Sequence, residues 1–211
     1  MAINFIFQRL MDQAISDGII QDGSNKSRLY FQQKAKETED ADLPIVDNLF
    51  RRKSLIDNYK ELPFKPGDIF LFKYDPKNKN KNSLPYYDRF PISAIIDVTP
   101  TYCLGLNFHY LPYRERGLFM KQLLEFRDEN VLTEKTYLDI DYDKVRSTGT
   151  SKLYYKACIK KYLNNHIRGR MIKIHPEEWQ YVISLPLQDF RKVPNVNQVW
   201  EDSRLKWNGK I

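Results

Sequence analysis

The chain has 211 residues, enough to bury one substantial core with arms attached. A hydrophobic fraction of 42% with 14% aromatics excludes wholesale disorder. The net charge of +7 and a sequence pI of about 9.2 favour an anionic partner, although a basic protein with no anionic ligand has the same composition. Only two cysteines are present, Cys103 and Cys158, with no CxxC pair, so neither a disulfide framework nor a zinc cluster is expected. The opening "MAINFIFQRLMDQAISDGII" lacks the basic start of a signal peptide, and no apolar run reaches bilayer length, so no membrane partner is expected.

In chain order, residues 3–17 read as an amphipathic helix, with Phe7, Leu10 and Met11 on one stripe and Gly18 as its stop. Residues 20–43 are polar and mixed in charge, the pattern of a linker or arm, partly helical at "LYFQQKAKE". A second helix is expected between Pro44 and Leu62, carrying the basic run Arg51, Arg52 and Lys53. The period then changes. "KPGDIFLFKYDP" reads as a turn and a strand, "KNKNKNSLP" as an exposed loop bearing Lys77, Lys79 and Lys81, and "FPISAIIDVTP" and "TYCLGLNFHYL" as two strands joined at Thr99-Pro100.

Further on, "YRERGLFMKQLLEFRD" reads as a helix with Leu118, Phe119, Leu123 and Phe126 inward, and residues 130–150 as irregular. "TSKLYYKACIKKYLNNHI" reads as a third helix, with "GRMIKI" and "QYVISLP" as two late strands bridged by "HPEEW". The tail from Asn195 reads as an extended arm bearing Trp200. The expected fold is α+β: a small bent β-barrel of the Src-homology-3 type with inserted helices and extended terminal arms. An open sheet covered by helices is the alternative. Its divisions are a helical arm and linker over 1–62, a core over 63–191 and a C-terminal arm over 192–211.

Catalysis finds little support. Cys103 and His109 are six residues apart on one expected strand, roughly 20 Å at strand rise, so they form no dyad with an acid such as Asp97. His166 and His175 lack a third ligand at metal spacing, and no phosphate-cradling glycine motif occurs, so neither metal nor cofactor is expected. Asp139, Asp141 and Asp143 alternate, but a solvated acidic edge accounts for them as well as a metal-dependent nuclease does.

Two binding surfaces remain. Lys152, Lys156 and Lys160, with Lys161 beside them, recur along the third helix, and Arg168, Arg170 and Lys173 continue the charge. With Lys77, Lys79 and Lys81 they form a candidate phosphate-binding patch, sequence-blind and salt-dependent. A solvated helix flank is the equal alternative. "PYYDRFP" and "FHYLPY" place Tyr86, Tyr87, Arg89 and Tyr113 beside stiff prolines, in residue types that carry interface energy. With Phe7, Leu10, Met11 and Trp200 they are the candidate protein interface.

The strings "KPGDIFLFKYDPK", "LPYYDRFP" and "GLNFHYLPYRER", then "HIRGRMIKIHPEEWQYVISLPLQDFRK" and "VWEDSR", resemble the DNA end protector family of T-even-type contractile-tailed phages. The likeness covers residues 63–116 and 154–204. It implies a late, non-enzymatic virion protein at the head–tail junction or in the tail. Such a protein would reside in the host cytoplasm before assembly and contact the phage DNA terminus, other virion proteins of the neck, tail or baseplate, or both. A tail or baseplate assembly protein that makes protein contacts only is the rival reading.

Overall fold

The computed structural model describes residues 12, 14–18, 29–30, 33, 65–127, 132, 135–147 and 152–208. The second helix expected between Pro44 and Leu62, and with it Arg51, Arg52 and Lys53, lies outside them, as do Phe7, Leu10 and Met11. In the first expected helix, Asp12 and residues 14–16 are helical and Ala14 is buried in the main core.

The chain is α+β. Five strands, β1 (Ile69–Tyr74), β3 (Ile92–Val98), β4 (Tyr102–Asn107), β5 (Ile159–Leu163) and β6 (Ile167–Lys173), form one antiparallel sheet in the order β5-β4-β3-β1-β6. Two short strands, β2 (Tyr87–Asp88) and β7 (Phe190–Arg191), pair beside it. The edge strands β5 and β6 are joined by only three residues, a 3-10 turn over Asn164–His166. That connection forces the two edges together and curls the sheet into a half-barrel. The turn is pinned from both sides: the Asp75 amide donates to His166 O at 3.0 Å, the Asn164 amide to Thr101 O at 3.0 Å, and the Leu163 amide to the Tyr74 hydroxyl at 3.2 Å. Register irregularities at Ile95/Asp97 in β3 and Leu71/Lys73 in β1 add the local bend that such curling needs.

Strand alternation sorts the side chains into two cores. Phe70, Phe72, Tyr74, Ile95, Cys103 and Tyr162 fill the concave side, where the Tyr162 ring meets Phe72 and Tyr74 edge-on at 5.0 Å each. Ile69, Leu71, Ile92, Ala94, Ile96 and Leu106 line the convex side, packed under the helices. These are α1 (Tyr113–Leu123), α2 (Tyr142–Ser147), α3 (Lys152–Cys158) and α4 (Trp179–Val182), while α5 (Val196–Trp207) buries Val199 in a separate cluster with Tyr86 and Tyr110.

The "KPGD" turn shows why its glycine is needed. Gly67 has φ +92°, and a Cβ there would lie 2.2 Å from the Leu138 carbonyl oxygen. Only glycine accepts both conditions. In return, Gly67 N–H donates to Ile95 O at 2.8 Å and its carbonyl accepts from the Leu138 amide at 3.0 Å, which ties the start of β1 to the sheet and to the segment before α2.

Several elements differ from the sequence reading. The expected long helix after residue 150 stops at Cys158; "IKKYL" becomes β5, because its β-branched and aromatic residues complete the open edge of β4. The last two strands of the sheet are therefore β5 and β6, bridged by "NNH", while "QYVISLP" is helical at α4. There the His175 ring caps the turn at Pro176–Glu178, and the buried Trp179 donates its indole N–H to Ile174 O at 3.0 Å. Residues 142–147 are helical, with Asp141 accepting from the Lys144 amide at 2.7 Å in the manner of an N-cap. In α1, Leu118 faces solvent at 43% exposure and Arg116 is buried in its place. The C-terminal stretch from Val196 is a packed helix, capped by Asn195 and buried at Val199 and Ser203, rather than an extended arm.

Candidate nucleic-acid interface

The two proline-flanked motifs meet in the interior. Asp88 of β2 is buried and accepts four hydrogen bonds: from the Phe90 and Asp189 amides at 3.1 Å each, from Asn107 Nδ2 at 3.1 Å and from His109 Nδ1 at 2.6 Å. Burial opposes its ionisation, but His109 and these donors outweigh that and hold its carboxyl below the ordinary range. Burial and the nearby Arg116 keep His109 neutral, its pKa lowered despite Asp88. Arg116 is also fully buried; it makes no ion pair with Asp88, and its guanidinium donates to Leu111 O at 2.7 Å and Ile183 O at 3.2 Å and lies 4.5 Å from the Tyr113 ring centre. Burial pushes its pKa down to about 10, so it stays a cation at neutral pH. This is a neutral, hydrogen-bonded buried cluster, a fold determinant with no nucleophile in it.

Beside the cluster, the concave mouth of the half-barrel opens as a cleft of about 410 Å³. One lip is the loop from Asp75 to Tyr86, the other is β5. Tyr74, Tyr87, Tyr110 and Tyr162 form much of its wall, with Lys77 at the lip and Lys160 inside. The loop is braced: Lys79 pairs with Asp75 at 2.9 Å, and Lys192 Nζ reaches the carbonyls of Lys81 (2.8 Å) and Leu84.

Lys160 is the unusual residue of this cleft. It pairs with Gly105 of β4, which places it on the concave face with Tyr162. Its ammonium sits 3.6 Å from the Tyr110 ring centre. Among the described residues no carboxylate lies within ion-pair distance of it. Burial lowers its pKa to about 7, and the like charge of Lys206 from α5 adds to that.

The other candidate cations scatter. Lys161 borders the cleft, but its side chain alternates to the opposite face of β5 and its ammonium lies over Tyr102 at 3.7 Å. Lys152 and Lys156 lie on α3, Lys156 exposed. The single helix flank expected to carry Lys152, Lys156 and Lys160 does not exist, because the helix ends two residues before Lys160. Arg168 and Arg170 are on β6, the Arg168 guanidinium donating to Asn165 O at 3.0 Å. Lys173 is paired with Asp68 at 2.9 Å and Lys79 with Asp75, which removes much of the free charge of both. Lys81 is exposed at the loop tip. The sequence reading missed Lys206 and the pairing of Asp88 with His109; the helical period of "WEDSRLKW" was the available signal for the first.

The aromatic interface candidates mostly serve the chain itself. Tyr86 is buried, packed on Tyr110 at 6.1 Å and Phe190 at 6.2 Å. Tyr113 is sandwiched by Arg116 and Trp200, whose indole N–H donates to His109 O at 3.1 Å. Arg89 lies 3.9 Å from Asp189, and Tyr87 is half-buried at the cleft.

Catalytic alternatives gain nothing from the geometry. The thiols of Cys103 and Cys158 are buried with pKa values pushed up to about 12, so neither is a thiolate at neutral pH. Asp139 is paired with Lys144 at 2.6 Å and Asp141 caps α2. Among the described residues there is no cluster of three metal-ligating side chains, and no helix is long and apolar enough to cross a membrane.

A family model described as Phage T4 terminal DNA protecting protein matches residues 23–203, most of the chain. The family is one of non-enzymatic proteins that protect phage DNA ends. No curated protein and no solved structure matches the chain.

Proposed function

This chain belongs to the phage terminal DNA protecting protein family, and we propose that it holds the DNA terminus at the concave cleft of its half-barrel. The observation that carries this reading is Lys160: a half-buried cation with no carboxylate partner among the described residues, facing a cleft and subject to the like charge of Lys206. A lysine so placed is stabilised by an anion entering the cleft, and a DNA phosphate is the anion the family's function supplies. Lys77 at the lip adds a second contact, while Lys81, Lys156 and Arg168 add further positive charge. Protection is then electrostatic and steric: the end is occupied and covered, and no bond is made or broken.

Finer features go with this reading. The order β6-β1-β3-β4-β5, with a 3-10 turn joining β5 to β6, supports a Src-homology-3-like barrel with α1, α2 and α3 inserted between β4 and β5. The core over 63–191 presents the cleft. The N-terminal arm over 1–62, with Phe7, Leu10 and Met11, and the segment over 192–211 dock on neighbouring virion proteins of the neck or tail. The protein acts within the virion after synthesis in the host cytoplasm.

The test is binding of linear duplex DNA as a function of salt, coupled to exonuclease digestion. Two cations facing into the cleft, Lys77 and Lys160, give a slope of log K against log salt of about −1.4 to −1.8. Lys160→Met should flatten it by about 0.7–0.9, the share of one phosphate contact, and shorten the lifetime of linear DNA under exonuclease. A slope of zero, with no protection, would leave a protein that makes protein contacts only.

A further inference from the structure

We propose that the cleft admits one unpaired nucleotide from a strand end, its phosphate against Lys160 and Lys77, so that the protein recognises a terminus by opening the last base pair. The inference rests on the cleft being the DNA site. A volume of about 410 Å³ lies in the range that encloses one small ligand, and stacked base pairs carrying two backbones exceed it. The lips do not part easily to take more. The loop from Asp75 to Tyr86 is braced by the Lys79–Asp75 pair and by Lys192 on the carbonyls of Lys81 and Leu84, and β5 is hydrogen-bonded along β4.

The chemistry of the walls suits a nucleotide. Tyr87 offers a half-buried aromatic ring at the mouth, where a base can stack without regard to its identity. Farther in, Lys160 waits over the Tyr110 ring with no acidic partner among the described residues. The carboxylate on the cleft floor, Asp88, does not repel the phosphate strongly, because its four acceptor bonds hold its charge. Duplex interior cannot present such a nucleotide without breaking two stacks, whereas an end breaks one. Specificity for ends therefore follows from the size of the cleft and needs no base-edge code.

Three duplexes of equal length and charge test this: one fully paired, one with a single mismatched pair at each end, and one with each terminal pair joined by an interstrand cross-link. Opening a terminal pair costs on the order of a factor of ten in affinity. The mismatched duplex should therefore bind about tenfold more tightly than the paired one, and the cross-linked duplex at least tenfold more weakly. Lys160→Met should erase these differences. Lys77→Ala, a change on an exposed loop that leaves the core untouched, should reduce them and so guards against a folding defect in the first variant. Equal affinity for all three duplexes would overturn this inference while leaving DNA binding at the cleft intact. Binding to none of them would overturn both.

Discussion

Replacing Asp88 with Ala should unfold this protein far more readily than any surface change. The substitution leaves the amides of Phe90 and Asp189, the Asn107 amide group and His109 Nδ1 without their acceptor in a site that is 3% exposed. Each unsatisfied buried donor costs about 1–3 kcal/mol, and four are left. Partial relaxation and water entry make the total about 4 kcal/mol, less than the sum of the parts. With a urea m-value of about 2 kcal/mol/M, the midpoint should fall by about 2 M. The native protein should show the matching pH dependence. The Asp88 pKa is depressed on folding, so its contribution is complete above its unfolded value, about 4, and is lost as pH falls through the folded value. His109 is depressed too, so stability begins to decline once pH drops below about 6.5, where the unfolded chain takes up a proton that the folded chain refuses. A midpoint shift under about 0.5 M for Asp88→Ala would refute the assignment of this cluster as the pin between the two motifs.

Other predictions follow from the cleft and the turn. DNA affinity should weaken as pH rises from 6 to 8.5, because Lys160 loses its proton near pH 7 when free and regains it beside a phosphate; fluorescence anisotropy across that range measures this, and the dependence should vanish in Lys160→Met. The groups that face Lys160 are Lys206 of α5, Cys158 of α3 and the Tyr110 ring, and neither Cys158 nor Tyr110 titrates in that window. Gly67→Ala should cost about 3 kcal/mol from its left-handed backbone and the 2.2 Å approach to Leu138 O, lowering the melting temperature by about 6–12 °C in calorimetry. Cys103 and Cys158 should react with a thiol reagent only at the rate of unfolding, since burial keeps both protonated.

By itself the sequence determined what local chemistry can carry. The period-two runs of β1, β3 and β4, the glycine of the "PGD" turn, the helix at Tyr113 and the basic balance all follow from residue types acting on their neighbours. So does the family, through strings long enough to be specific. Tertiary structure decided everything that depends on distant partners. "IKKYL" reads as helix because lysine and leucine favour one; it became a strand because β4 offered an unpaired edge that local propensity does not see. That single change moved Lys160 off a solvated flank and into a cleft, and sent Lys161 to the opposite face. "PYYDRFP" and "FHYLPY" looked like a docking surface for the same reason: aromatic and charged side chains beside prolines fit an interface and an interior equally well. Only the fold brings Asp88 to His109, twenty-one positions on, and turns the carboxylate inward onto the ring's Nδ1. Which polar group faces water is a global property, fixed by what the whole chain packs against it.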